Sequence, residues 1–415
     1  MKAMVKHSVK VTGEVQISGS KNVVLPVICA ALLTNKTVTL YNVPNIKDVE
    51  ILIEIIKSIG VNVKYLRHKQ ILKIKAKKVN HIILNNKINK LRGSYYLIGV
   101  LLARYNKCIT TFPGGCNFTD RPIDYHIDAF KQLGYLVKNN RNFIFINKFK
   151  ERNNEIKLLN KSVGASINTI LSCCYIKEEV VIKNISLEPE VLEIIEFIKL
   201  MGKKINIAQN QLFIKGEIIH RDIHFNIVSD RIEAGSYALL AASTQTSSIR
   251  LINAPVKYMY SVLEVLKKLG LIVNVEQDII EVKKIKKINP IDLEIFEYPS
   301  FPTDLQQILS VVLLTSNGIS KIKDNIYINR ISQIKELNKL DGHIHFINNE
   351  ILIYPSVLKG GIVSAHDLRC AFALIVAGVI SSNETIIDNF DIVLRGYEKI
   401  IEKLKKIGIE IKIYI

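Results

Sequence analysis

The sequence predicts an α/β protein of two globular domains, each made from three copies of one helix-and-strand unit. Three observations carry this. An amphipathic stretch ending in glycine and followed by an alternating strand returns six times. A more uniformly apolar helix alternates with it. The period, about 70 residues, is too long for the common solenoids, so two packed domains of three units are the economical arrangement.

The first pattern runs IIKSIGVNVKY around Gly60, FKQLGYLVKN around Gly134, FIKLMGKKINI around Gly202, VLKKLGLIVNV around Gly270, LNKLDGHIHF around Gly342 and KLKKIGIEIKI around Gly408. In each, the glycine stands where a helix C-cap belongs, and the residues after it alternate as a half-buried strand does. The second pattern begins at SKNVVLPVICAALL, LRGSYYLIGVLLA, KSVGASINTILSCC, SDRIEAGSYALLAA, FPTDLQQILSVVLL and HDLRCAFALIVAG. These helices are apolar on most faces, which predicts burial. The sheets then lie outside and the second-pattern helices at the centre of each domain.

With 415 residues, 48% of them hydrophobic, the chain can enclose large cores. The start, MKAMVKHSVKVTGEV, has no continuous apolar segment of the kind a signal peptide needs, and runs such as CAFALIVAGVI are too short for a membrane span. Six cysteines without a CxxC give no disulfide framework, so a reducing cytoplasm is expected. The formal charge of +19 reads two ways: a polyanion partner, or solvated faces rich in lysine. The lysines are scattered and the chain is crowded with Ile and Asn, which favours the second; neither a nucleic-acid nor a membrane partner is expected.

Five of the six buried-helix starts carry a cation: Lys21, Arg92, Lys161 beside Ser162, Arg231 and Arg369. Helix N-termini attract anions, and cations placed there strengthen the attraction. If the starts face a cleft between the domains, that cleft traps anions. The sixth start, FPTDLQ, carries Asp304, which reads either as a helix-capping acid or as an acid/base group. RGYE places Arg395 on a turn, either salt-bridged or functional, and PGGCNFTDRPID sets Cys116 on a glycine-hinged loop near Arg121. His220 and His224 are four apart and His343 and His345 share a strand face, but no third ligand, P-loop or GxGxxG accompanies them. No metal and no cofactor are implied.

With GSKN, PGGC followed by RP, SVGAS, DRIE, FPTD, DLR and RGYE in this order, the chain resembles the UDP-N-acetylglucosamine enolpyruvyl transferase family over essentially its whole length. The resemblance implies two inside-out α/β barrel-like domains, each of three repeated units, with the active site in the interdomain cleft. It places residues 21–229 in one domain, and 1–20 with 230–415 in the other. It implies transfer of enolpyruvyl from phosphoenolpyruvate to the 3-hydroxyl of UDP-N-acetylglucosamine, with release of phosphate by addition and elimination, as the first committed step of peptidoglycan synthesis. A monomer or weak oligomer goes with it.

Residue by residue, the resemblance makes Lys21, Arg121 and Arg395 the cations on phosphoenolpyruvate, with Arg92 and Arg369 beside them. Asn22 and Asp304 touch the sugar, Asp304 as candidate base for its hydroxyl. Arg121, Pro122, Ile123, Asp124 and Tyr125, together with Ser162, Val163 and Gly164, match the uridine-diphosphate region. Ile326, Arg330 and Asp367 complete the substrate-binding positions. Cys116 becomes a lid thiol that protonates the methylene carbon or assists product release, its pKa lowered by Arg121. The chain departs from the family pattern in places. Thr119 replaces a lid glycine, Asp120 would raise the thiol pKa, Leu187 replaces an arginine, Tyr96 a tryptophan and Asn160 a lysine. These predict a slower enzyme. Besides a catalytically dead structural relative, against which the retained cleft residues speak, two rivals stand beside this reading. One is the sister enzyme acting on shikimate 3-phosphate, which lacks the lid cysteine. The other is an RNA-end-processing protein, for which the chain shows no aromatic stacking platform.

Overall fold

The computed structural model describes residues 1–112, 114, 123–140 and 142–414. Among the described residues, twelve α-helices alternate between two kinds. The odd-numbered ones are α1 (Lys21–Ala30), α3 (Tyr96–Tyr105), α5 (Val163–Ser172), α7 (Arg231–Ser243), α9 (Gln306–Leu313) and α11 (Leu368–Ile380). Nearly every residue in them is buried, including all of α7 from Arg231 to Ser243. The even-numbered ones are α2 (Lys47–Ser58), α4 (Asp124–Gln132), α6 (Pro189–Leu200), α8 (Tyr260–Lys268), α10 (Ser332–Asn338) and α12 (Ile400–Lys406). They are amphipathic, as in α8, where Val262, Leu263, Val265 and Leu266 face inward and the lysines outward.

Six four-stranded sheets share one topology. In the sheet Ile223–Asn226, Thr37–Tyr41, Ile71–Lys75, Asn62–Leu66, the first pair is parallel and the next two are antiparallel. The other five sheets repeat this order. The sixfold period is thus a period of structure, and the mixed α/β class expected of the chain is what it adopts. The glycine after each amphipathic helix is left-handed at Gly60, Gly134, Gly202, Gly270 and Gly408, with φ between +83° and +99°. There a Cβ would be strained. The fifth copy corrects the expectation: Asp341, φ 65°, takes the left-handed position one residue before Gly342. A short polar side chain tolerates that conformation, so the glycine is displaced by one.

The chain divides into two compact units. The first holds the described residues between 19 and 228, with α1, α3 and α5 at its centre and its own apolar core. The second holds 1–18 and 229–414, with α7, α9 and α11 enclosed by a separate core. The N-terminal strands Lys2–Val5 and Lys10–Gln16 are sheet members of this second unit, pairing with Thr385–Asp388 and Thr246–Ile252.

One buried ionic knot fastens the N-terminal segment into the second unit. Lys403 Nζ donates to Ser18 Oγ at 2.6 Å and to Glu233 Oε1 at 2.7 Å, and Ser18 N–H donates to Glu233 Oε2 at 2.7 Å. Burial pushes the Glu233 carboxyl pKa up, and Lys403 works against that shift. Replacing Lys403 by Met leaves Glu233 buried with its cation gone. Loss of one partner of a buried pair costs about 3–5 kcal/mol, so denaturant unfolding of Lys403→Met should show a drop of that order.

Candidate active site

Helices enclosed on every side expose polar chemistry only at their ends, and the residues singled out from the sequence collect at N-terminal ends in each unit. In the second unit they form a connected network. Asp304 lies on a 3-10 turn, Thr303–Leu305, just ahead of α9. Its Oδ1 accepts from Arg330 Nη1 and its Oδ2 from Arg369 Nη2, both at 2.7 Å. The two arginine side chains are nearly buried, at 4% and 8% exposure, while that of Asp304 keeps 22%. One carboxylate therefore holds two guanidinium groups that would otherwise repel. Arg330 also donates to Thr303 Oγ1 at 3.2 Å and lies over the Tyr327 ring. Arg369 reaches the Tyr397 hydroxyl at 3.3 Å, which in turn pairs with Ser236 Oγ at 2.8 Å.

The neighbouring positions are supports for this network. Asp367 is the N-cap of α11 and accepts from the Arg369 and Cys370 amides at 2.9 and 3.0 Å. Its other oxygen accepts from Ser332 Oγ and Gln307 Nε2. A carboxylate with this many donors, 2% exposed, fixes the start of α11. Ile326 is set by a turn in which its amide and that of Tyr327 donate to Asp324 Oδ1. Arg395 ends the 3-10 turn Phe390–Arg395, half-buried and two residues before Tyr397. Arg231 is the first residue of α7, capped by Asp230.

The first unit brings together a second group. Lys21 opens α1 behind the Ser20 cap and pairs with Asp48 at 2.8 Å. Asn22 follows it on the same turn, half-buried. Arg92 sits in the 3-10 turn Arg92–Tyr95 ahead of α3, with its guanidinium 5.5 Å from the centre of the Tyr95 ring. The helix start expected at Arg92 therefore comes four residues later. Tyr95 packs on His126 at 4.6 Å between ring centres, and Asn168 ties both down by donating to the Tyr95 carbonyl and pairing with His126 Nδ1. Ser162 caps α5 by accepting from the Ala165 amide, with Val163 and Gly164 in the first turn. At Gly164 a Cβ would lie 2.6 Å from the Tyr95 hydroxyl and 3.0 Å from His126, so only glycine lets this helix start sit so close to them. Ile123 is buried just before α4, which begins at Asp124, and the Tyr125 hydroxyl accepts from Asn160 at 2.7 Å. Cys116, Arg121 and Pro122 lie outside the described residues.

Several of these partners have no motif of their own. Asp48, Tyr95, His126 and Asn168 are visible only once the fold pairs them, whereas Tyr397 and Glu233 stand inside RGYE and DRIE and could have been read there. His220 and His224 hydrogen-bond Thr34 and Tyr41, and among the described residues no cluster of metal-ligating side chains occurs.

A fold of two three-unit α/β bodies, with arginines and a carboxylate gathered near helix starts, suits an enzyme that handles anions, and the comparisons give the class. The sequence model of EPSP synthase (3-phosphoshikimate 1-carboxyvinyltransferase) matches residues 5–404. The chain belongs to this family of carboxyvinyl transferases and is a transferase. Among its relatives, the UDP-N-acetylglucosamine 1-carboxyvinyltransferase of Halothermothrix orenii is 34% identical over 413 residues, 99% of each chain. The enzyme designated UDP-N-acetylglucosamine 1-carboxyvinyltransferase 2 in Streptococcus thermophilus is 36% identical over 419 residues, again 99% of each. That of Wolbachia pipientis subsp. Culex pipiens is 35% identical over 408 residues, 96% of each. Among solved structures, the enolpyruvyl transferase NikO from Streptomyces tendae superposes with a TM-score of 0.91 at 19% identity, covering 99% of this chain and 98% of its own. EPSP synthase from Acinetobacter baumannii gives 0.75 at 14%, with both chains fully covered. At these identities the two structures speak for the fold alone.

Burial, reinforced by Arg92, pushes the His126 pKa down to about 3. The sign follows: between about pH 6.5 and 3 the unfolded chain binds a proton that the folded chain refuses, so stability falls as pH drops through that window. His126→Asn should flatten this part of the stability–pH curve, measured by urea unfolding across pH 4 to 7 relative to the parent.

Proposed function

We propose that this transferase moves enolpyruvyl from phosphoenolpyruvate to the 3-hydroxyl of UDP-N-acetylglucosamine, releasing phosphate, as the first committed step of peptidoglycan synthesis. The observation that carries the choice of acceptor is the full-length match to relatives bearing that name, at 34–36% identity. The family description alone leaves shikimate 3-phosphate as the alternative acceptor.

In this reading the sugar hydroxyl adds to C2 of phosphoenolpyruvate while C3 gains a proton. The tetrahedral adduct then loses phosphate from C2 and a proton from C3, restoring the double bond in the product. Lys21, Arg121 and Arg395 hold the phosphate and carboxylate of phosphoenolpyruvate, where fixed cations stabilise charge as it moves. Arg92 adds to their field. Asp304 takes the hydroxyl proton, and Arg330 and Arg369 hold its carboxylate in place. Asn22 and Ile326 touch the nucleotide sugar, and the segment from Arg121 to Tyr125 with Ser162–Gly164 receives its diphosphate and uridine. Cys116 supplies the proton to C3 or assists product release. Residues 21–229 form one domain, and 1–20 with 230–415 the other. The protein works in the cytoplasm, as a monomer or weak oligomer, without metal, cofactor or nucleic acid. No helix among the described residues is long and apolar enough to cross a membrane.

The test is phosphate release from phosphoenolpyruvate, run with UDP-N-acetylglucosamine and, in parallel, with shikimate 3-phosphate. Release with the nucleotide sugar alone is the expected result; release with shikimate 3-phosphate alone, or with neither, overturns the proposal. The same preparation tests the thiol. The five other cysteines are buried, and burial pushes all five thiol pKa values up, to about 12 at Cys108, Cys173 and Cys370. A charged alkylating reagent should therefore label Cys116 alone in the native protein, and labelling should abolish turnover. Full turnover after stoichiometric labelling removes Cys116 from the mechanism.

A further inference from the structure

The central helices of the second unit also have C-terminal ends, and carbonyls near these ends are met by donors in both units: in the second, Lys284 donates to Ala242, Ser247 Oγ to Ala241, and the Ser8 and Ser356 amides to Val379 and Leu314. In the first unit the carbonyls there are met by inward-pointing donors. Arg104 donates to the Leu32 and Ala76 carbonyls, Tyr175 to Leu33, and Lys203 to Ile176 and Gly216. In the second unit, α7, α9 and α11 end around a pocket of about 730 Å3. This is within the size range of small-molecule sites. It lies at the opposite end of α7 and α11 from Asp230 and Asp367, about 20 Å away for a 13-residue helix.

The lining is chemically one-sided. Leu314, Val357, Leu358 and Ile380 give it an apolar wall. Its charged or titratable groups are Lys284, Lys286, Lys287 and His7, and no acid lines it. Most of its hydroxyl protons are already engaged: Ser243, Thr315, Ser316 and Ser356 each donate to a backbone carbonyl. The donors left for an occupant are therefore chiefly the ammonium groups.

Lys284 is the unusual member. It is 5% exposed and its ammonium donates to the Ala242 carbonyl at 2.9 Å, at the end of α7. That one bond leaves two N–H donors with no protein acceptor among the described residues. A buried ammonium without a counter-ion is costly, and burial together with nearby Lys287 lowers the Lys284 pKa to about 8. The negative ends of the helices offset part of this charge, but Lys284 and Lys287 together outweigh one helix-end bond.

We propose that this pocket is a second ligand site, built for a small amphiphilic anion whose carboxylate or phosphate head pairs with Lys284 and Lys287 while its aliphatic body lies on Leu314, Val357 and Leu358. A neutral ligand would leave the Lys284 charge without a counter-ion, and a fully hydrated anion would leave the apolar wall unused.

Calorimetric titration of the whole chain with decanoate, decyl phosphate and decanol, each below its micellar concentration, tests this. The two anions should bind at one site, and decanol at least about tenfold more weakly, since a charge-assisted hydrogen bond is roughly twice as strong as a neutral one. The tighter of the two anions identifies the head group. Lys284→Met, which keeps the apolar stem, should weaken anion binding about tenfold or more. Val357→Glu, at a side chain 78% exposed and so tolerant of change, should abolish it by placing a like charge at the mouth. Circular dichroism would show both variants folded. Decanol binding as tightly as the anions, anion affinity unchanged in Val357→Glu and Lys284→Met, or no binding by either anion would each overturn the proposal.

Discussion

The constraint on which everything else depends is that three helices in each unit are enclosed on all sides. A helix with no solvated face must be largely apolar, its interior polar side chains must find partners inside, as Asn168 and Ser236 do, and its open amides and carbonyls stand at its ends. In α7 every side chain from Arg231 to Ser243 is buried, so the charges of that segment gather at its first turn, where Asp230, Arg231 and Glu233 stand together. Sheets on the outside make this enclosure possible, and the sixfold repetition of one four-stranded topology supplies them. Chemistry at helix ends is therefore a result of the packing.

Within that constraint the carboxylate of Asp304 settles a specific electrostatic difficulty. Arg330 and Arg369 are almost buried, and two guanidinium groups so placed would repel without an anion between them. Asp304 provides one oxygen to each at 2.7 Å. This reconciles the two readings of the FPTD motif. Asp304 precedes a helix, as a capping acid would, but its oxygens are directed to side-chain cations. The capping role falls instead to residues such as Asp230 and Asp367, which accept from the amides of α7 and α11. Capping acids and an arginine-bound acid stand in similar sequence contexts, and only the partner distinguishes them.

Much of the fold was legible in the sequence because its signals are local. The glycine after each amphipathic helix and the alternation beyond it are read within a dozen residues, and the buried helices announce themselves by composition. The one slip, Asp341 in place of Gly342, came where another residue type tolerates the same conformation. The site was legible as a set of positions and not as a set of pairs. Nothing local in the chain joins Lys21 to Asp48, Arg369 to Asp304 or Lys403 to Ser18, since these contacts span from 27 to 385 residues. The 3-10 turns that hold Arg92 and Asp304 also escaped, because periodicity fixes a helix far better than its first turn.

The repeat that makes the two units alike also shows where they differ. At the N-terminal ends of the central helices both units collect cations and hydrogen-bonding side chains, which add to the positive ends of the dipoles and make these ends attractive to anions. At the C-terminal ends the same dipoles favour donors, and the first unit satisfies them with Arg104, Tyr175 and Lys203, each directed at backbone oxygen. The second unit answers with Lys284 on Ala242, the Ser247 hydroxyl on Ala241 and the amides of Ser8 and Ser356 on Val379 and Leu314, around a pocket. Because the helix ends around the pocket are already met by donors, lysines gathered on a cavity with no acid among its described lining residues supply more positive charge than those ends require.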